Sequence, residues 1–259
     1  MKNKINQKKV SEYSLTIGWL YPELMNIYGD RGNIIILQKR CEWRKIKTEI
    51  LMFNVGFEKN QLLRCDLLFM GGAQDKQQAA VSADLLKKRD LLKKLIENEI
   101  PGLFICGAYQ FLGKFYEESG GNIINGLKIF DIYTKNQGES KKRLIGNISL
   151  ECSTLNTRLL GFENHGGLTY LGKNAKPLGK VIIGNGNNDK DSTEGIIYKN
   201  SFGTYLHGPI LPKNPLFADY LIEKALEKKY KKKVLLRKLD DSLENSARLA
   251  IAKRLSVEI

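Results

Sequence analysis

The first half of the chain alternates short apolar runs with longer amphipathic segments. In the longer segments, apolar residues recur every three or four positions, which is typical of helices that pack on one face. The pattern predicts strands at Tyr13–Leu20, Thr48–Asn54, Cys65–Met70 and Leu103–Cys106, and helices at Gly32–Lys45, Gln77–Glu97 and Tyr109–Phe115. Strands separated by helices of this length indicate a parallel sheet that is covered on both faces.

The second half has a different pattern, in which short apolar stretches alternate with Gly and Asn turns. These stretches predict strands at Leu127–Tyr133, Leu144–Glu151, Val181–Gly184, Gly195–Tyr198 and Phe202–Leu206. Two helices should close the chain, the first with Asn214 at its N-cap and Pro215 at its first position. The second should begin at Asp240–Asp241, with an apolar stripe of Leu243, Ala247, Ala250 and Leu255.

No linker or internal repeat separates the two halves. We therefore expect a single α/β domain over residues 13–259, preceded by a flexible basic tail at residues 1–12. Because the lysines of this tail are not followed by an apolar run, we expect no secretory signal and a cytoplasmic location. No apolar stretch reaches the roughly 18 residues of a membrane helix, so we expect no membrane insertion.

Composition and charge narrow the class of protein further. The chain is 42% hydrophobic and 27% charged, which excludes wholesale disorder. Its net charge of +14 is spread along the sequence, with one dense run at Lys228–Lys233. A spread charge favours a solvated surface over a nucleic-acid-binding face, so we expect no nucleic-acid partner.

Cys106 is the residue that most strongly suggests chemistry. It ends a predicted buried strand and is followed by Gly107, Ala108 and a predicted helix. A tight strand-to-helix turn presents a nucleophile above the edge of a sheet, and a helix N-terminus favours a thiolate. A buried structural cysteine is the alternative. The other cysteines are Cys41, Cys65 and Cys152. They form no close pair and no CxxC motif, so we expect neither disulfides nor a metal site.

Two histidines, His165 and His207, could activate a thiol. His207 follows a short apolar strand and precedes a Gly-Pro pair, so it should lie at the sheet edge where Cys106 is expected. Gly71–Gly72 ends the neighbouring strand, and its amides could join that of Gly107 in binding an oxyanion, unless the pair forms an ordinary turn. The sequence has no GxxxxGK[ST], GxGxxG or HExxH motif, and hence no recognisable ATP, dinucleotide or zinc site.

Taken together, these motifs resemble those of a known family. Ile105–Leu112, ICGAYQFL, is similar to the nucleophile motif of class I glutamine amidotransferases. Gly161–Gly167, GFENHGG, resembles an element of the cobyric-acid-synthase-like branch of that family. The glutaminase subunits of lipid II isoglutaminyl synthases are a closer match, in the segments NIYGDRGNI, CDLLFMGGAQDKQQA, PGLFICGAYQFLGK, RLIGNI, GNGNND and GTYLHGPILPKNP. The resemblance extends over roughly residues 13–257.

The resemblance implies a flavodoxin-like α/β fold with a largely parallel central sheet, and a thioester mechanism of glutamine hydrolysis. Cys106 would attack the side-chain amide of L-glutamine, His207 would act as base and acid, and ammonia would leave. Arg143 would bind the α-carboxylate of glutamine, because a guanidinium matches a carboxylate in shape. Gln110, Gly72 and Gly107 would surround the substrate.

The resemblance leaves the third catalytic residue open. Relatives usually carry a Glu two positions after the histidine, where this chain has Pro209. Asp30 and Glu163 are the candidates, although Asp30 could instead cap the helix that follows it, and the third residue could also be absent. His165 is expected to shape the rim of the glutamine site or to have a structural role in a turn. Many relatives also have Gly where this chain has Phe104.

The resemblance also implies a heterodimer with a Mur-ligase-like synthetase subunit, MurT. That partner would use ATP to activate the α-carboxylate of D-glutamate in the stem peptide of the membrane-bound lipid II. Ammonia from this chain would convert it to D-isoglutamine during peptidoglycan synthesis, and this chain itself would need no cofactor. The alternatives are another cobyric-acid-type amidotransferase, a stand-alone cysteine hydrolase and a non-catalytic basic scaffold.

Overall fold

The computed structural model describes residues 13–73, 75–118, 120–138 and 142–259, without the side chains of residues 75, 76, 78 and 79. The tail expected at residues 1–12 lies outside the described residues. The strands are β1 (Ser14–Leu20), β2 (Lys47–Phe53), β3 (Leu67–Met70), β4 (Gly102–Ile105), β5 (Phe115–Glu117), β6 (Ile123–Asn125), β7 (Ile132–Asn136), β8 (Leu144–Cys152), β9 (Thr157–His165), β10 (Gly167–Leu171), β11 (Gly179–Ile183), β12 (Thr193–Glu194), β13 (Ile196–Tyr198), β14 (Ser201–Thr204) and β15 (Leu206–His207). The helices are α1 (Arg31–Trp43), α2 (Asp75–Leu86), α3 (Arg89–Glu97), α4 (Gly107–Phe111), α5 (Ile210–Lys213), α6 (Pro215–Tyr230) and α7 (Ser242–Leu255).

A six-stranded sheet forms the centre of the fold, in the order β13-β14-β4-β3-β1-β2. All of its neighbouring strands are parallel except the pair β13 and β14. Every residue of β3 and β4 is buried, as expected for central strands with both faces covered. The α/β class and the largely parallel sheet are therefore confirmed. The carboxyl ends of β1, β3, β4 and β14 meet at one edge, where ligand sites of open α/β sheets form.

Helix α1 is anchored on one side of this sheet by both apolar and ionic contacts. Ile34, Leu37 and Cys41 recur at helical spacing and are buried. Arg40, also fully buried, forms ion pairs with Asp219 of α6 and with Asp241 at the start of α7, at 2.6 Å each. A buried guanidinium needs such partners, so these contacts hold the three helices together.

Two smaller sheets accompany the central one. The first has the order β12-β11-β8-β9-β15 and the second the order β10-β7-β5-β6. β15 follows β14 after one residue and pairs antiparallel with β9, so His207 lies where the central sheet meets the first of the smaller sheets. In the part of the chain that the structure describes, no helix is long and apolar enough to cross a bilayer.

Several predicted elements differ from those observed. The helix predicted at Gln77–Glu97 is divided into α2 and α3 at Lys88, whose φ is −108° and whose amide donates to the Leu85 carbonyl, three residues back, at 2.9 Å. The strand predicted at Leu127–Tyr133 begins only at Ile132, after a positive φ at Lys128. The strands β9 and β10 were not predicted at all.

The apolar stripe predicted for the last helix was wrong. Leu243 is 79% exposed, and Ala247 and Ala250 are also exposed. Arg248 and Ala252 are the buried residues of α7. The guanidinium of Arg248 donates to the carbonyl oxygens of Lys213 and Arg158, so polar contacts rather than an apolar stripe decide which face of the helix is buried.

Candidate active site

Cys106 occupies a strained turn between β4 and α4. Its backbone has φ 54° and ψ −107°, a left-handed conformation that side chains rarely adopt. Two hydrogen bonds fix the turn: the Cys106 amide donates to the Thr204 carbonyl at 2.8 Å, and the Cys106 carbonyl accepts from the Gln110 amide at 3.0 Å. Such strain persists only where the surrounding structure enforces it, and it is common at active sites.

Asp30 and His207 form a buried pair beside this turn. Asp30 Oδ1 lies 3.2 Å from His207 Nδ1, and both side chains are fully buried. The other carboxylate oxygen, Oδ2, accepts a hydrogen bond from the Gly72 amide at 2.7 Å. Asp30 does stand at the N-cap position of α1, but its side chain makes no capping bond, because its two oxygens contact His207 and the Gly72 amide instead.

Gly72 shows how closely the pair lies to Cys106. A Cβ atom at Gly72 would lie 3.0 Å from His207 Cε1 and 3.1 Å from Cys106 Cβ. The ring of Tyr28 covers His207 edge-on, with 5.0 Å between the ring centroids. The structure therefore brings Cys106, His207 and Asp30 together, with glycine where a Cβ atom would crowd both His207 and Cys106.

The surroundings of His207 favour its charged form. Burial by itself lowers the pKa of the ring, but the charge that Cys106 can carry and the Asp30 carboxylate raise the pKa of His207 to about 10. Nε2 of His207 is buried and has no hydrogen-bond partner among the described residues. Since Asp30 holds Nδ1, Nε2 is the nitrogen left to exchange a proton.

The Gly72 amide does not fit the oxyanion role expected for it. Its N–H already donates to Asp30 Oδ2, so it is not available to a developing oxyanion, which corrects the sequence-based expectation. The Gly107 amide opens α4 and therefore has no acceptor within that helix. Of the predicted donors, Gly72 is thus excluded, whereas the Gly107 amide has no acceptor within its helix, as an oxyanion donor requires.

A cavity of about 220 Å³ opens in front of the Cys106 turn. Gln110 lines it and donates from Nε2 to the hydroxyl of Tyr205 at 3.0 Å. Arg143 lines it too, with an exposed side chain that Asn164 holds through two hydrogen bonds of 3.0 and 3.1 Å. The full lining is Ile27, Tyr28, Ala73, Cys106, Gln110, Tyr116, Asn136, Arg143, His165, Gly166 and Gly167.

His165 borders the cavity but is not paired with a carboxylate. Its Nδ1 lies 2.7 Å from the Gly167 carbonyl and must donate to it, since a carbonyl only accepts. The ring stacks on Tyr205 at 3.6 Å with an interplanar angle of 4°. Burial lowers the pKa of His165 to about 3, so the ring is neutral and structurally held.

Glu163, the other candidate acid, pairs through its backbone with Leu206, but its carboxylate binds Asn185 and Gly186 and not His207. Its Oε1 accepts hydrogen bonds from the backbone and side-chain nitrogens of Asn185 at 2.7 and 2.6 Å, and its Oε2 accepts from the Gly186 amide at 2.9 Å. Burial raises the pKa of Glu163. Of the two acids, Asp30 is the one that contacts the histidine.

Sequence reasoning missed Tyr28 and Tyr205. Tyr28 stands two positions before Asp30 and has φ 52°; the Gly29 that follows it indicates a turn, but not that the Tyr28 ring contacts His207. Tyr205 stands two positions before His207, and its hydroxyl bonds Thr169 at 2.6 Å as well as Gln110. A buried hydroxyl network of this kind depends on tertiary contacts and gives no local signal.

Among the described residues, no group of His, Cys, Asp and Glu side chains is arranged to hold a metal ion.

Residues 16–215 match the family model of the CobB/CobQ-like glutamine amidotransferase domain. The chain belongs to this family of glutamine amidotransferases. The amidotransferase is 47% identical over 222 residues to the lipid II isoglutaminyl synthase (glutamine-hydrolyzing) subunit GatD of Staphylococcus aureus (strain N315), covering 84% of this chain and 86% of that protein. It is 40% identical over 233 residues to the GatD subunit of Streptococcus pneumoniae (strain ATCC BAA-255 / R6), covering 89% of this chain and 88% of that protein. The family inferred from the sequence is confirmed.

More distant comparisons agree with this assignment. The amidotransferase is 34% identical over 202 residues to a probable cobyric acid synthase of Methanococcus maripaludis (strain C5 / ATCC BAA-1333), covering 73% of this chain but 39% of that protein. Its fold resembles a crystal structure of a glutamine amidotransferase, with a TM-score of 0.57 and 15% identity, covering 81% of this chain and 98% of that one. At this identity the structural likeness shows the fold alone.

Proposed function

We propose that this chain is the glutamine-hydrolysing subunit of a lipid II isoglutaminyl synthase, with Cys106 as nucleophile, His207 as general acid and base, and Asp30 as the acid that orients His207. The observation that carries the proposal is the buried Asp30–His207 pair, 3.2 Å apart, beside the strained Cys106 turn. Similarity to the GatD subunits over more than four fifths of the chain supports the choice of reaction.

The mechanism begins with attack of the Cys106 sulfur on the side-chain carbonyl carbon of L-glutamine. The positively charged His207 ring stabilises negative charge on the sulfur before attack, and then protonates the leaving nitrogen so that it departs as ammonia. The remaining γ-glutamyl thioester is attacked by water, whose proton passes to His207. The C–S bond then breaks, which releases glutamate and restores Cys106.

Three further groups support this sequence of steps. The Gly107 amide donates to the oxyanion of each tetrahedral intermediate. Arg143, at the exposed side of the cavity, binds the α-carboxylate of glutamine, and Gln110 fills the wall beside it. Asp30 keeps the Nδ1 proton of His207 in place, so that Nε2 performs both proton transfers.

The acceptor of the ammonia belongs to the proposed partner. A Mur-ligase-like synthetase subunit, MurT, would bind ATP and activate the α-carboxylate of D-glutamate in the lipid II stem peptide. Ammonia from Cys106 would then convert this carboxylate to the amide of D-isoglutamine in the cytoplasm. The similarity to GatD proteins, which are named as subunits, supports a heterodimer.

The test is ammonia release from L-glutamine, measured with the chain alone and with the synthetase subunit. We expect Cys106→Ala and His207→Ala to abolish release, while Cys152→Ala, a change at a buried cysteine of β8, leaves it intact. Amidation of lipid II with glutamine as nitrogen source should fail in the same two variants but recover with added ammonium. Full glutamine turnover in Cys106→Ala would overturn the mechanism. Amidation indifferent to this chain would overturn the choice of partner.

A further inference from the structure

Glu194, at the end of β12, is a third fully buried carboxylate near the site, after Asp30 and Glu163, and the mechanism above does not use it. Its Oε1 accepts hydrogen bonds from the Thr204 hydroxyl at 2.5 Å and from the Tyr205 amide at 2.9 Å. Its Oε2 is buried and has no hydrogen-bond partner among the described residues. A single oxygen atom thus holds two consecutive residues of the segment that leads to His207.

The residues held by Glu194 connect directly to both catalytic side chains. The Thr204 carbonyl accepts the Cys106 amide at 2.8 Å, which is one of the two bonds that fix the strained turn. The Thr204 hydroxyl also accepts the Leu206 amide at 3.0 Å, so it shapes the bend between β14 and β15. His207 is the next residue after Leu206. Displacement of Thr204 would therefore move His207 and Cys106 relative to each other.

We propose that Glu194 is a positioning residue of the glutaminase reaction, which fixes His207 against Cys106 by tethering Thr204 and Tyr205. The proposal rests on the Cys106–His207 mechanism proposed above. Glu194 acts through the bend and does not itself touch the cavity, since the cavity lining does not include it.

The charge state of Glu194 matters for the strength of the tether. Burial raises the pKa of Glu194 to about 7, although its hydrogen bonds with Thr204 and Tyr205 oppose the change. The titratable groups that face it are Glu163 of β9, Tyr109 of α4 and Tyr205, none of which supplies a positive charge. Hydrogen bonds to an ionised carboxylate are stronger than those to a neutral acid. The hydrogen bonds from Thr204 and Tyr205 to Glu194 should therefore strengthen as Glu194 ionises with rising pH.

The first experiment compares steady-state glutamine hydrolysis of Glu194→Gln and of the wild-type protein from acid to alkaline pH. Glutamine keeps an acceptor oxygen but removes the charge. We expect kcat at alkaline pH to fall about tenfold while KM changes less than about twofold, because the cavity itself is unaltered. The ionisation near pH 7 should disappear from the profile. Wild-type kcat in Glu194→Gln, with the ionisation retained, would overturn the proposal.

Glu163→Gln is the matched control, because Glu163 is an equally buried carboxylate that holds Asn185 and Gly186 rather than the bend. It should keep the wild-type kcat at alkaline pH and retain the ionisation of Glu194, moved to lower pH because one negative charge beside Glu194 is gone. An equal loss in this variant would show a general effect of removing buried charge and would contradict the proposal. Thr204→Val should reduce kcat as Glu194→Gln does, and Thr204→Ser, which restores the hydroxyl, should recover it.

A measurement without glutamine separates this proposal from the proposed function. The rate of Cys106 alkylation by iodoacetamide reports on the thiol and its histidine whether or not glutamine is the substrate. Slower alkylation at alkaline pH in folded Glu194→Gln, with an unchanged rate in Glu163→Gln, supports the positioning role. Equal rates in all three proteins would overturn it, even if glutamine hydrolysis proceeds as proposed. A wild-type protein that never hydrolyses glutamine would refute the proposed function alone.

Discussion

Asp30 Oδ1 lies 3.2 Å from His207 Nδ1, although the two residues are 177 positions apart in the chain. Asp30 belongs to the loop between β1 and α1, and His207 ends β15. Both segments reach the same edge of the central sheet because β1 and β14 are parallel members of it. The second oxygen of Asp30 binds the Gly72 amide, so one carboxylate connects the histidine to the segment after β3.

Replacing Asp30 by Asn should reduce kcat of glutamine hydrolysis by about 100-fold or more, as loss of the orienting acid does in other nucleophile–histidine sites. The Asn oxygen can still accept from the Gly72 amide, but its NH₂ group cannot accept the proton on His207 Nδ1. The histidine would then lose its orientation while the loop keeps its anchor.

The control for Asp30→Asn is Asp66→Asn. Asp66 also accepts a backbone amide, that of Thr16 at 2.8 Å, but it contacts Lys229 rather than a histidine. Steady-state kinetics with both variants should show loss of turnover only at position 30. Turnover within about twofold of wild type in Asp30→Asn would remove Asp30 from the mechanism.

Gly72→Ala should lower turnover several-fold with little effect on the rest of the fold. The added methyl group would meet His207 Cε1 and Ile27 Cγ1 at 3.0 Å and Cys106 Cβ at 3.1 Å, so these groups must give by a few tenths of an ångström. A misplacement of about 1 Å between reacting groups costs roughly 100-fold, so the smaller shift here should lower kcat by roughly 3- to 10-fold. Gly146→Ala is the control, because a Cβ there meets nothing within 4 Å. Equal activity of the two variants in an ammonia-release assay would show that the pair tolerates the methyl group.

The middle of the central sheet could be predicted because β3 and β4 are short, contain no polar side chains and are preceded by Asp66 and Pro101. Leu67–Met70 and Gly102–Ile105 are buried at every position, and such runs are visible in the sequence. Thr157–His165 was missed for the opposite reason. Its buried face includes Glu163 and His165, whose polar groups are satisfied by Asn185 and by the Gly167 carbonyl. Polar residues on a buried face remove the alternation by which a strand is recognised.

The site could be predicted in part. The position of Cys106 at a strand end, and of His207 at the same sheet edge, followed from the order of the elements alone. The acid could not be chosen, because Asp30 precedes a helix and is equally typical of a cap. The sequence suggested that the Gly72 amide binds an oxyanion. No local signal shows that this amide instead donates a hydrogen bond to the Asp30 carboxylate.

The stability of the fold should depend on pH through His207. The pKa of this ring rises from 6.5 to about 10 on folding, so its protonated form stabilises the native state. This contribution is complete below about pH 6.5 and is lost as the pH rises through about 10. Urea unfolding should show that wild type loses free energy of unfolding over this range relative to His207→Gln. A constant difference between the two proteins would contradict the assigned charge state.

His165 provides a control of opposite sign for that experiment. Burial lowers its pKa from 6.5 to about 3, so the native state disfavours the protonated ring. Its contribution to stability therefore increases as the pH rises from about 3 to 6.5 and is constant above that. The difference in free energy of unfolding between wild type and His165→Gln should change only in this acid range. The difference between wild type and His207→Gln should stay constant there, because His207 is protonated in both the folded and the unfolded state.

Cys106→Gly should be more stable than Cys106→Ala, although neither protein has a thiol. A side chain at φ 54° and ψ −107° is strained by about 1–3 kcal/mol, whereas glycine adopts positive φ freely. The greater entropy that glycine loses on folding offsets about 0.5–1 kcal/mol of this difference. Cys152 is the matched control, since it is also a buried free cysteine but lies in β8 and is not among the residues with positive φ. There the order should reverse, with Ala more stable than Gly in urea unfolding. If Ala were the more stable residue at both positions, the turn that presents Cys106 would not be strained.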